Sequence, residues 1–348
     1  MIDSRIQCID SFRAVAIIFI VAGHCIDGSS LSLDGFFEGW FRNVVQGGTA
    51  FFVFISGYMY YKIFYKRVSY GRFLLKKLRF VLAPFLFLGL VPILIYTIYP
   101  TPWFDGYFLT DAPSLLSQVL VGTKYLVTGR FFTAYWYIPF ILATFALAPL
   151  HERFIRLGSR VQWIIVVVLS LISMAIHRPI GNLSLLQHVV YFQPVYLLGL
   201  WYAQRSDNKK SKLWIVLVGA AGLVLSLLQT VVGDYGNYHK EALQSHGFDL
   251  MYLQKLLLCL ALMELLRRIE FTGMMKKLLD KTASTSFAVF FLHPIIIFAS
   301  TFWFGVWYPS DSWLFYIAYF IAVIAVSLAI AVLIKHLAPR ISRYLIGY

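Results

Sequence analysis

Long apolar runs separated by short polar ones fill this chain from end to end. Ten runs stand out, at about 12–28, 44–62, 80–99, 131–150, 161–177, 188–204, 213–233, 250–267, 284–307 and 312–336. Each is close to the ~20 residues an α-helix needs to cross a bilayer. Helix is the expected form, because the alternative that satisfies its backbone inside lipid is a closed barrel of alternating strands. The first run is short, and the fifth and sixth are weak at their outer ends. Residues 112–127 are too polar and too short to span easily and read as a surface or re-entrant helix. The pattern predicts an all-α integral membrane protein, with residues 1–348 forming a single bundle of about ten transmembrane helices and no appended soluble domain. No internal repeat or low-complexity segment interrupts it.

Composition agrees. Of 348 residues, 60% are hydrophobic and 13% charged, against about 25% charged in an ordinary soluble domain. Mean hydropathy is +0.74. A net charge of +14 would point to nucleic acid in a soluble chain, but here lysine and arginine cluster in the short loops. With the N-terminus in the cytoplasm, the inner segments are 1–13, 62–79, 151–160, 204–213, 267–283 and the tail from Lys335. They hold 2, 7, 3, 4, 5 and 3 Lys+Arg, a total of 24. The outer loops hold five: Arg42, Lys124, Arg130, Arg178 and Lys240. This alternation places both termini in the cytoplasm and argues against a nucleic-acid partner.

Three cysteines, Cys8, Cys25 and Cys259, have no paired spacing and make neither a disulfide framework nor a metal site. The first run lacks a small-residue cleavage site and reads as a retained span. The longest extramembrane pieces, 100–130 and 234–249, are outer and rich in Tyr, Trp, Asp, Asn and Gly. That surface suits a carbohydrate-like ligand or an interfacial aromatic belt.

Polar residues within the apolar runs carry the candidate chemistry. Arg13 and His24 lie eleven residues apart, about three helical turns, so they share one face at roughly 16 Å separation along the axis. A cation and an imidazole in an apolar helix mark a functional site by default, although Arg13 alone also fits an interfacial anchor. A neutral imidazole is a natural general base, and Asp27 at i+3 is placed to hold its ring. Ser56-Gly57 in the second run reads as a helix-packing pair. Arg72, Lys76 and Arg79 fall at i, i+4 and i+7, beside Lys77, ahead of Pro84; they fit a phosphate-binding mouth or an ordinary positive-inside anchor. Tyr135-Trp136-Tyr137 opens the fourth run. His293 lies mid-run in the ninth, beside Pro294, whose missing N–H suggests a helix break and a polar cavity, or one satisfied core histidine.

In this order the pieces resemble the membrane-bound acyltransferase-three family, which includes bacterial O-acetyltransferases of surface polysaccharides. The resemblance covers the whole chain: the I-D-S-F-R start, the Arg13–His24 spacing, F-F-V-F-I-S-G at 51–57, the basic run before Pro84, the Trp136 element and L-H-P at 292–294. The family often shows paired arginines in the basic run, where this chain has Lys76-Lys77 with Arg72 and Arg79. The resemblance implies ten spans in the plasma (inner) membrane and an acyl-CoA co-substrate, acetyl-CoA foremost, entering from the cytoplasm, with no permanently bound cofactor. It implies an acceptor hydroxyl on a cell-surface polysaccharide or lipid-linked sugar, in a setting of membrane lipid and glycan synthesis or export machinery. Arg13 and His24 match the family's essential pair. Many members carry a further esterase-like domain, so a chain ending at Tyr348 reads as the stand-alone form.

That chemistry fits the residues. Arg72, Lys76, Lys77 and Arg79, with Ser56 further in, would receive the polyanionic donor. Trp136, Tyr137 and His293 would line the cavity on the acceptor side. His24 would take the acceptor proton, or a covalent acyl-enzyme would form instead; Cys25 points about 100° from His24 on an ideal helix. A glycan transporter or flippase is the second reading. It would call for carboxylates in the spans and for broken repeats, and apart from Asp27 at the end of the first run Glu264 is the lone span carboxylate. A non-catalytic scaffold leaves the Arg13–His24 pair unexplained.

Overall fold

The computed structural model describes residues 2–98, 108, 114–206, 209–233, 239–242, 244, 247–304 and 312–348. Much of the outer pieces 100–113 and 234–246, and the end of the ninth run at 305–307, lie outside the described residues. The described chain is mostly helical. Its helices are α1 (Ile2–Gly28), α2 (Phe36–Val45), α3 (Thr49–Met59), α4 (Tyr70–Lys77), α5 (Ala83–Ile98), α6 (Leu115–Thr128), α7 (Tyr137–Ala146) and α8 (Ala148–Arg156). There follow α9 (Ser159–Ile176), α10 (Leu185–Gln204), α11 (Lys212–Val231), α12 (Leu250–Leu266), α13 (Gly273–Phe304), α14 (Trp313–Leu337) and α15 (Ser342–Leu345). Two short strands, β1 (Arg178–Pro179) and β2 (His239–Lys240), pair in parallel.

Among the described residues, six helical stretches are long and apolar enough to cross a membrane: Gln7–Gly28, Tyr70–Ile98, α9, α11, Gly273–Trp303 and α14. The pair α7–α8, bent by 55°, makes a seventh if read as one span. Pro149 at the start of α8 cannot donate to the preceding turn, which accounts for the bend. The remaining three runs also form helices, α3, α10 and α12, at the expected places. α3 is eleven residues long and continues as a π-helical turn, Tyr60–Phe64. α10 carries Gln187, His188, Gln193 and Gln204, and α12 carries Gln254, Lys255 and Glu264. Several of their polar side chains are answered inside the bundle. Lys255 Nζ donates to the carbonyls of Val44 (2.7 Å) and Asn43 (3.3 Å), closing the C-terminal end of α2. Glu264 accepts from Tyr202 and pairs with Arg267 at 3.1 Å.

α1 is the hub. It packs against α3, α12, α13 and α14, and 61% of its spanning window is buried, against 22% for α9 and α14. α3 and α10 form the other central contact. A methyl group on Gly57 would strike the Tyr196 carbonyl, and one on Gly199 would strike that of Phe54. Ser56-Gly57 thus marks close helix packing, as small residues do in membranes.

Two local features differ from expectation, and the helix expected near 112–127 is present. α13 runs through Pro294 without a break. The second run does not start at 44: the chain turns at Gly47, in left-handed conformation (φ 77°), before α3 begins at Thr49. The polar stretch near 112–127 is α6, with Ser114 accepting from the Ser117 amide and left-handed Gly129 (φ 66°) ending it.

Candidate functional site

Two cavities lie at opposite ends of the Arg13–His24 face of α1, one holding Arg13 and the other His24. The cavity at the end with the basic loops has a volume of about 490 Å³. Its walls are mainly aromatic and aliphatic, and its cations are Arg13, Lys76, Lys77 and Arg343, with Ser56 and Ser286 between them. Arg13 Nη2 donates to Ser286 Oγ of α13 at 3.0 Å, and Nη1 lies 3.5 Å from Asp10. Lys77 Nζ sits among the rings of Phe145 (4.4 Å), Phe64 (5.0 Å) and Phe73 (5.5 Å).

Arg72 and Arg79 do not line this cavity. Arg72 is exposed. Arg79 lies over the Tyr344 ring at 5.2 Å, outside the lining. The chain leaves the α-helical period at Leu78–Leu82, a π-helical turn, so an i, i+4, i+7 count made on α geometry loses register at Arg79. Lys77 and Arg343, from α4 and the turn of α15, take the inward places.

The opposite cavity is smaller, about 280 Å³, and strongly polar. His24 and Asp27 of α1 line it, with Trp136, Arg42, Arg130 and Arg178. Trp136 and Tyr137 divide between the cavities: Trp136 faces the His24 cavity and Tyr137 the Arg13 cavity. Tyr137 packs against Phe290 (5.4 Å) and Phe52 (6.5 Å), forming an aromatic layer on the Arg13 side. Tyr135 Oη donates to the Phe291 carbonyl at 2.7 Å and ties the Trp136 turn to α13.

His24 is held by His293. His293 Nδ1 is 2.8 Å from the Val289 carbonyl, which can only accept, so that nitrogen carries the hydrogen. With neutral rings, His293 Nε2 is then an acceptor for His24 Nδ1–H at 2.9 Å. His24 Nε2 keeps its lone pair. The two rings are within 7° of parallel. The sequence expects Asp27 to hold the His24 ring; the structure gives that contact to His293 and leaves Asp27 exposed on the cavity wall. Cys25 is fully buried and lines neither cavity.

The residues that sequence reasoning passed over are Arg42, Arg130, Arg178, Asn182 and His239. Asn182 Oδ1 accepts from Arg178 Nη2 and His188 Nε2, each at 3.0 Å. His188 stacks on Trp136 at 4.2 Å, and the Arg178 guanidinium lies 4.8 Å from the same ring. Burial lowers the Arg178 pKa to about 10, which leaves it charged near neutrality. His239 donates from Nδ1 to the Pro179 carbonyl at 2.8 Å. Burial first, then the charges of Arg178 and Arg130, push its pKa down to about 3, so the ring is neutral. One signal was available for the arginines: each is an exception to the charge asymmetry.

An acyltransferase-domain family profile matches residues 6–332. The chain belongs to the acyltransferase-3 family. With its several apolar helices, this acyltransferase-3 protein is a multi-pass membrane protein and an acyltransferase. Comparisons with curated proteins and with solved structures each returned no match.

Proposed function

We propose that this acyltransferase-3 protein moves an acyl group from cytoplasmic acyl-CoA to a hydroxyl of an extracytoplasmic polysaccharide or lipid-linked sugar. Acetyl is the first expectation and succinyl the second. The reading includes ten crossings of the inner membrane with both termini cytoplasmic. Three of those crossings are short or polar helices shielded by their neighbours. The observation that carries it is the pair of cavities on one face of α1, basic and apolar around Arg13, polar around a His24 with an available Nε2.

The chemistry follows from the placement. CoA phosphates stay at the mouth with Lys76, Lys77 and Arg343, where charge-assisted hydrogen bonds are strong. The thin pantetheine arm lies along the apolar wall past Ser56, with Arg13 binding its polar groups. The thioester reaches the aromatic layer of Tyr137, Phe52 and Phe290. The acceptor hydroxyl attacks the thioester carbonyl, forming the C–O ester bond and breaking the C–S bond. His24 Nε2 takes the hydroxyl proton and returns one to the departing thiolate. His293 is a positioning residue, fixing the tautomer. Arg13, about three turns from His24, serves the donor and not the reacting hydroxyl.

Opposed cavities also suit a glycan transporter. Glu264 is closed off by Tyr202 and Arg267 and lines neither cavity, which takes it off that path and leaves Asp27, at the outer end of α1, as the one carboxylate among the described residues lining the His24 cavity. Purified protein supplied with labelled acetyl-CoA and surface glycan separates the two readings. We expect label on the glycan, lost in His24→Ala. Glycan movement without label transfer would support the transporter.

A further inference from the structure

The cavity around His24 holds more positive charge than hydroxyl acylation requires. Arg42 comes from the last turn of α2, Arg130 from the turn after α6 and Arg178 from β1. Three separate elements thus bring guanidinium groups to one 280 Å³ space whose lining holds one carboxylate, Asp27. Asp249, near Arg178, is not on that lining; Tyr191 Oη and the Tyr252 amide already bind it.

Structural duties account for part of this. Arg42 favours the C-terminal end of α2, and Arg178 packs on Trp136. Neither duty uses Nε. Among the described residues, nothing accepts a hydrogen bond from the buried Nε of Arg42 or of Arg178. Arg178 is only 5% exposed. A buried charged donor left unpaired is costly, so these atoms call for an acceptor brought by a ligand. The positions are also disfavoured by topology, being three of the five cations assigned to the outer side.

We propose that the acyl acceptor is anionic: it carries a carboxylate or phosphate that seats on Arg42 and Arg178, beside the hydroxyl presented to His24. This deepens the acyltransferase reading and rests on it for the role of His24. Planar arginine forks match both oxyanions. His239, donating from Nδ1 to Pro179, offers Nε2 as an acceptor for a second sugar hydroxyl. The volume is at the small end of ligand sites and fits one sugar unit with its charged group. A neutral sugar would leave the buried donors unpaired, which is how polar sites reject a ligand lacking the matching group.

Calorimetry on the full chain in nanodiscs tests this with two matched pairs of probes. One pair is a glucuronate-containing oligosaccharide and its carboxyl-reduced, neutral counterpart. The other is a polyprenyl-pyrophosphate-linked neutral sugar and the same sugar unlinked. We expect the charged member of at least one pair to bind about tenfold or more tighter than its neutral partner. The winning pair names the source of the charge, acidic sugar or lipid carrier. The preference should collapse in Arg178→Gln and in the less buried Arg42→Gln, with acyl-CoA affinity unchanged in the same preparations. Equal binding within both pairs, or a preference undiminished in both variants, would overturn the proposal. Binding needs no turnover, so failure of acyl transfer to every acceptor would count against the acyltransferase reading and not against this one.

Discussion

His24 works through its neighbour. The chain of hydrogen bonds from His24 Nδ1 through the His293 ring to the Val289 carbonyl fixes which nitrogen is basic. On the proposed mechanism His24→Ala removes the base, and it should lower transfer by about 100-fold or more, with the purified protein still folded by thermal melting. His293→Phe removes the acceptor that orients the ring. It should lower kcat by about 10–100-fold at unchanged KM for acyl-CoA. His293→Gln, whose amide oxygen still accepts, should recover part of that loss. A change in KM alone would assign His293 to binding. At the donor end, Lys77 lies in the cavity and Arg72 outside it. Lys77→Ala should therefore raise KM for acyl-CoA by about tenfold, and Arg72→Ala by much less, because an exposed charge is screened by solvent.

Helix contacts decide how closely these residues are held. Gly57 and Gly199 each pack against the opposite backbone, so α3 and α10 approach to a distance no side chain permits. Gly57→Val or Gly199→Val should cost about 1–3 kcal/mol or more, read as a lower melting temperature in detergent. Gly71→Ala is the contrast: nothing lies within 4 Å of a methyl there, and removing a helical glycine stabilises by about 0.5–1 kcal/mol. Much of this level was legible in the sequence. Arg13 and His24 share a face because α1 keeps a regular period from Ile2 to Gly28. The basic run was misread where that period fails, at the π-helical turn Leu78–Leu82. The start of the second run was hidden by Gly47, which turns the chain within an apolar stretch. Pro294 looked like a break, yet α13 carries through it, and the His293 contact with Val289 lies on that intact helix.

The whole molecule brings together what no local pattern could. Arg42 and Arg178 lie more than a hundred residues apart, with Arg130 between them, and only the fold that gathers α2, the turn after α6 and β1 makes them neighbours of His24. Arg343 reaches the Arg13 cavity in the same way from the C-terminal turn. The result is a bundle with a basic, apolar-walled entrance on one end, a polar arginine-lined cavity on the other, and the aromatic layer of Tyr137, Phe52 and Phe290 at the inner edge. We propose that an acyl group crosses between them. Proteoliposomes of uniform orientation test it directly, with labelled acyl-CoA on the side of the basic loops and acceptor glycan on the opposite side. We expect labelled glycan across the membrane, absent in His24→Ala. Transfer only when donor and acceptor share one side would contradict it.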